Sequence, residues 1–289
     1  MASTIRNPIE WGLDQIRLAG LAVGSAGQAI GETQEDVRTP LLTIRRITIA
    51  DLGDVLARGL DDFRSFRTDV VFLCVIYPLL GLVLGRLAFG YGMVPLLFPL
   101  ASGFALLGPF AALGLYEMSR RRELGVHSAW PDAFGVVGSP AFGKIAVLGS
   151  LLVAIFLLWL AVAQAIYFAT FGLKPPTSLM GFVGEVFTTG AGWSLIVVGV
   201  GVGFLFAVLV LAIGTVSFPL LIDRDVTLGR AVWTSVNAFA ANPVPMALWG
   251  LIVATGLVLG SIPLLLGLIV VMPVLGHATW HLYRKLIAG

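Results

Sequence analysis

His277 and His281 stand four residues apart, so on a helix their rings leave the same face and can share a metal ion, with His127, Glu117 or Glu123 completing the shell. Such a centre would make the chain a metal- or haem-dependent membrane enzyme. The pattern stops short of that chemistry. No catalytic Glu sits in a His-Glu-x-x-His arrangement, and a haem-copper core would need several histidines deep in the membrane. The simpler reading is preferred: the two rings anchor a helix end in the interface beside Trp280 and Tyr283, and no cofactor is expected.

Two further groups of charge lie at the same boundary. The stretch from Tyr116 to Glu123 contains Glu117, Arg120, Arg121, Arg122 and Glu123; its arginines can face anionic headgroups, and Glu117 can pair with Arg121 one turn on. Asp223, Arg224 and Asp225 follow Pro219. With Arg284 near the end of the chain, the candidate face comprises Glu117, Arg120, Arg121, Glu123, His127, Asp223, Arg224, Asp225, His277, His281 and Arg284. Charges of both signs there suit a docking surface for a partner or a recognition site for a polar headgroup. Two other patterns are discarded. Gly138 to Lys144 fits the first part of a phosphate-binding loop, but Ile145 stands where a Ser or Thr must hold magnesium. Gly199-Val-Gly-Val-Gly203 lies within an apolar run long enough to cross a bilayer and reads as a packing seam.

The elements that hold this face are helices in a membrane. With 58% hydrophobic residues, 12% charged residues and a mean hydropathy of +0.96, the chain has about half the charge that a water-soluble fold carries. A single cysteine, Cys74, excludes an internal disulfide and reads as a small packing residue. Crossing the hydrocarbon takes about 20 apolar residues. Six segments qualify: Val70 to Phe89, Val94 to Tyr116, Ile145 to Phe171, Trp193 to Leu221, Val244 to Ser261 and Pro263 to Tyr283. The first two and the last two form hairpins, and the loop between the third and fourth, around Lys174-Pro175-Pro176 and Phe182 to Thr189, lies in the interface. Sixteen Lys and Arg fall on the side of the N-terminal tail and only Arg86 and Lys174 on the other, so both termini are cytoplasmic. Tyr91, Tyr116, Trp193, Trp249, Trp280 and Tyr283 fall near span ends, as an aromatic belt would.

Residues 1–44 form a cytoplasmic tail, partly disordered and without a secretory signal, and residues 45–285 the transmembrane domain. From Thr48 the pattern sharpens. Thr48 and Asp51 make a capping box, and Ile49, Leu52, Leu56, Leu60 and Phe63 form an apolar stripe opposite Asp54, Arg58, Asp61, Asp62 and Arg64. This spacing predicts an amphipathic helix on the cytoplasmic surface. A second runs from Thr227 to Asn242-Pro243, with Leu228, Ala231, Val232, Ser235 and Phe239 on one side, and a shorter one begins at Ser128. Each precedes two spans, so a threefold repeat is expected near 48–116, 128–219 and 227–283.

No span carries Asp, Glu, Lys or Arg near its centre, which disfavours ion-coupled transport and proton pumping. Gly81 and Gly85, Gly199 and Gly203, and Gly256 and Gly260 allow close helix contact, either internally or in a homo-oligomer. Pro95, Pro99 and Pro109 make the second span irregular, and carbonyls freed near Gly108-Pro109 could line a cavity, although kinking for packing is the simpler use.

Leu115-Tyr-Glu-Met-Ser-Arg-Arg, Pro219-Leu-Leu-Ile-Asp-Arg-Asp-Val226, Asn242-Pro243 and Gly276-His-Ala-Thr-Trp-His-Leu-Tyr-Arg284 resemble the signature stretches of a bacterial integral membrane family, domain of unknown function 2189, over roughly residues 45 to 285. The resemblance implies a Gram-negative inner-membrane protein and carries no activity. The reading of the whole is an all-α polytopic bundle: a non-enzymatic scaffold or assembly component of a membrane complex, with a permease, channel or lipid-handling protein as the alternative and the metal or haem enzyme third. Its partners would be membrane lipid and another inner-membrane complex, and not nucleic acid.

Overall fold

The computed structural model describes residues 42–66, 74–90, 93–126, 130–173, 176 and 178–288. Among these the regular secondary structure is helical, apart from an isolated bridge between Ile44 and Ile287. Four helical stretches are long and apolar enough to cross a membrane: Val94–Glu123, Phe142–Phe171, Gly190–Asp223 and Pro243–Ser261. They correspond to the second to fifth expected spans. The first expected span begins outside the described residues. Its described part is the 15-residue helix Ile76–Gly90, about 22 Å of rise against a hydrocarbon core of about 30 Å.

The last expected span differs in kind from the four. After a turn over 262–267, in which Leu264 and Leu265 adopt positive φ, the chain runs as Leu268–Leu286. The first two turns of this helix are apolar. Its second half carries His277, Thr279, His281, Arg284 and Lys285, and Gly276, His277, Ala278, Trp280, Leu282 and Tyr283 are buried. This half packs against protein, mainly the helix Ile49–Ser65. The helices are numbered here α1 Ile49–Ser65, α2 Ile76–Gly90, α3 Leu97–Phe104, α4 Gly108–Ala111, α5 Leu113–Glu123, α6 Phe142–Phe171, α7 Leu179–Thr188, α8 Gly190–Asp223, α9 Leu228–Ala241, α10 Pro243–Ser261 and α11 Leu268–Leu286. The inward packing of α11 corrects the expected aromatic belt: Tyr116, Trp249, Trp280 and Tyr283 are all buried, Trp193 is exposed, and Tyr91 lies outside the described residues.

The second span is irregular, as its prolines require. It alternates 3₁₀ turns at Val94–Leu96 and Ala105–Leu107 with the short helices α3, α4 and α5. The breaks are filled by protein. Trp159 Nε1 of α6 donates to the Pro99 carbonyl at 2.9 Å, and the Pro109 ring lies against Gly214 of α8, where an added Cβ would stand 3.0 Å away. The small-residue pairs serve the interior in part. Gly256 and Gly260 receive Val271 and Leu268 of α11, and Gly203 faces Trp159, whereas Gly85 and Gly199 border open space.

At 34 residues, about 51 Å, α8 outruns the bilayer core. Its buried residues gather at the C-terminal end, from Val210 to Leu221, with Gly192 as the exception. There α9 lies against it through Ala231, Thr234, Ser235 and Ala238, a smaller and more polar face than the one expected. Small side chains let the backbones approach. Ser235 Oγ inserts into the α8 ladder: it donates to Ala212 O at 2.7 Å and accepts from Val216 N at 3.1 Å, standing where the regular 216-to-212 bond would be. The Thr227 N-cap and the stop at Asn242 match the expected bounds of α9.

The capping box of α1 is present, with the Thr48 and Asp51 side chains each bonded to the other's backbone N–H. The buried face is Leu52, Val55, Gly59, Asp62 and Phe63. Two expectations are corrected here: Ile49 is exposed, and Asp62, placed on the outer face by sequence, points inward. Gly59 rests directly on Ala278, which brings the α1 and α11 backbones together. The segment before α1 is tied down by Asn242, whose Oδ1 accepts from Ile47 N at 2.8 Å and whose Nδ2 donates to Arg45 O and Ala238 O, each at 3.1 Å. Asn242→Ala strands a buried N–H and two carbonyls, so it should lower stability by about 2–3 kcal/mol. Thermal unfolding in detergent, followed by reaction of the buried Cys74 thiol with a maleimide dye, checks this.

Candidate functional site

The buried Asp62 carboxylate is the centre of the charged face. Its neighbours come from two elements that the sequence separates widely. From α5, Ser119 Oγ donates to Oδ2 at 2.5 Å and Arg122 pairs with Oδ1. From α11, His281 Nε2 lies 2.9 Å from Oδ2, and His277 Nδ1 lies 4.0 Å from it. Burial raises the pKa of Asp62, but the bonds from His281 and Ser119 and the nearby histidine charge outweigh it and hold the carboxyl below its ordinary value of 3.8. Asp62 is therefore an anion at neutral pH.

The hydroxyl of Ser119 has one proton, and Asp62 receives it. The 2.8 Å contact between Ser119 Oγ and His277 Nδ1 then requires the proton to sit on Nδ1. The lone pair of His277 is left on Nε2, which is buried and has no hydrogen-bond partner among the described residues; Phe66 stacks on the ring at 6.1 Å. The two histidines thus use different nitrogens on one carboxylate network, and no group of three or more His, Cys, Asp or Glu among the described residues is placed to hold a metal ion. His127, the third ligand considered from sequence, lies outside the described residues.

The rest of the face closes around this centre. The Glu117–Arg121 pair expected one turn apart is present at 2.9 Å, and Arg121 also reaches Asp132 at 2.7 Å. Arg120 pairs with Glu117 at 3.3 Å and approaches Asp223 at 3.9 Å, while Arg122 bridges Asp62 and Asp61. All three arginines offered by sequence to lipid headgroups are therefore engaged by carboxylates of this chain. Glu123 accepts from Trp280 Nε1 at 3.0 Å and from Arg284 Nε at 3.0 Å, and Asp223 accepts from Tyr283 Oη at 2.6 Å. Arg224 donates to Ala288 O at 2.7 Å. Asp225 takes Lys144, the residue that had suggested a phosphate loop, at 3.1 Å. At the outer edge Lys285 bonds Asp51 and Asp54, and its bond together with those of Thr48 holds Asp51 far below the usual carboxylate range.

An open depression of about 380 Å³ leads from solvent to Asp62, past Arg58, Arg122, Arg284 and His281. The carboxylates around it are engaged by donors of this chain, which makes them poor metal ligands but a strong clasp between α1, α5 and α11. Reading from sequence missed Asp62, Ser119, Lys285 and Tyr283 as members. The signal for Asp62 was its register: positions 52, 55, 59, 62 and 63 form one helical face, and an acid on it needs buried partners.

No curated protein and no solved structure matches the chain. The stretch Leu115 to Arg121 and the first part of Pro219 to Val226, which carried part of the resemblance, fall inside a family match that is narrower than the expected reach of 45 to 285 and ends before Asn242-Pro243 and Gly276 to Arg284. Over residues 97–223, from α3 to the end of α8, the chain matches the model of a family described as predicted integral membrane protein, DUF2189.

Proposed function

We propose that this protein is a non-enzymatic component of a membrane assembly: a six-helix bundle in a bacterial inner membrane, both termini cytoplasmic, whose charged end is a rigid platform for a partner complex. The observation that carries this reading is the closure of the charged face around Asp62, where carboxylates, arginines and His281 from α1, α5 and α11 pair with one another. Mutual pairing of carboxylates and arginines rigidifies the face, as a docking platform requires. The bias of Lys and Arg toward one side supports the orientation, and the apolar first half of α11 with α2 supplies material for the two further spans. On this reading α1, the 3₁₀ segment Trp130–Gly138 and α9 are cytoplasmic surface helices, one at the head of each of three repeated units near 48–116, 128–219 and 227–283. The N-terminal tail before residue 45 is a separate cytoplasmic segment. No cofactor and no nucleic acid are needed.

Native mass spectrometry of the protein extracted gently from its own membrane tests the proposal, with the His277→Ala/His281→Ala variant alongside. Retained partner subunits are expected. A chain that carries only lipid would favour a permease or lipid-handling role instead, and a metal or haem mass that the variant loses would overturn the non-enzymatic reading.

A further inference from the structure

With Arg120, Arg121 and Arg122 engaged inside the protein, the contact with anionic lipid falls to other residues. Arg45 and Arg46 are both exposed, and among the described residues neither guanidinium has a carboxylate partner. Their backbone is nonetheless fixed. Asn242 holds Arg45 O and Ile47 N on either side of Arg46, and the Ile47 side chain is buried. Asn242 immediately precedes Pro243, the first residue of the apolar helix α10. The two arginines are therefore held at the level where α10 enters the bilayer. Two apolar side chains are open at the same corner, Ile49 at 56% exposure and Val244 at 63%, each two residues from the Ile47–Asn242 bond.

We propose that this corner binds the headgroup of an anionic phospholipid, with Arg45 and Arg46 donating to its phosphodiester oxygens and Ile49 and Val244 against the start of its acyl chains. A soluble phosphate would use the guanidinium groups alone. The apolar pair is continuous with the exposed face of α10, which shows Leu251 and Val258, and this continuity selects a lipid. The inference rests on α10 spanning the membrane and holds whether or not the platform has a protein partner.

The test is native mass spectrometry of the full chain in mixed micelles holding equal phosphatidylglycerol and phosphatidylcholine. The wild type should retain phosphatidylglycerol in preference. Each arginine should contribute about fivefold, so Arg45→Gln/Arg46→Gln should remove most of the preference, while Arg45→Lys/Arg46→Lys should keep most of it. Protection of the Cys74 thiol reports that each variant is folded. An absent preference in the wild type, or one unchanged in the folded glutamine variant, would overturn the site. Displacement by glycerophosphoglycerol at the concentration at which the lipid binds would overturn its assignment to lipid.

Discussion

Asp62→Asn should cost about 3 kcal/mol of stability, because the buried carboxylate accepts from Ser119, Arg122 and His281 and each hydrogen bond to a charged group is worth about 1.5–3 kcal/mol. The amide is a near-isostere, so packing is kept and the loss is electrostatic. Its carbonyl can still accept from Ser119 or His281, but its NH₂ group then faces the donors of Arg122, and the guanidinium loses its buried counter-charge. Arg122→Gln should cost less, about 1–2 kcal/mol, because Arg122 is 35% exposed at its side chain and Asp62 retains Ser119 and His281. Thermal unfolding read by Cys74 reactivity should rank the two variants in that order. Equal losses would mean that the arginine, and not the carboxylate, organises the face.

The same carboxylate sets a pH limit. Its folded pKa lies below its unfolded one, so its contribution is fully present above the ordinary value of 3.8 and is lost as pH falls through the folded value. As pH falls below about 3.8 the wild type should lose stability more steeply than Asp62→Asn, which has no proton to gain at that position. Asp51 is depressed as well and acts equally in both proteins, so its share cancels in the difference between the two curves.

What could be read from the sequence follows the physics of each signal. Hydrophobic runs and charge asymmetry report directly on bilayer thickness and orientation, and the four helices from Val94 to Ser261 lie where those runs placed them. Caps are local, so Thr48 and Thr227 fixed the starts of α1 and α9. The inward turn of His277, Trp280 and Tyr283 was not legible, because an aromatic at a helix end has the same composition whether lipid or protein covers it. Nor was the Asp62 centre: its partners lie 57 residues away at Ser119 and 219 away at His281, and only the docking of α1 onto α11 joins them. Arg122 shows the point most sharply. Last of three consecutive arginines at a span end, it reads as a lipid contact, yet it is the one that reaches the buried acid.

Gly59→Ala should destabilise the protein by about 2–3 kcal/mol, although intrinsic helix propensity alone predicts a gain of about 1 kcal/mol from this change. The added Cβ would stand 2.7 Å from Ala278 Cβ, 2.7 Å from Ala278 N and 2.8 Å from its Cα. Two of these three atoms are backbone of α11, which cannot rotate aside as a side chain would. To relieve the contact α1 must lift from α11, and lifting it withdraws Asp62 from Ser119 and His281, one turn further along the same face. Gly53 supplies the internal control. It lies in the same helix with nothing within 4 Å of an added Cβ, so Gly53→Ala should stabilise by up to about 1 kcal/mol. Opposite signs for two identical substitutions six residues apart would locate the seam between α1 and α11 at Gly59. A gain in both would mean that α1 stands off from α11 and that the Asp62 clasp is not closed.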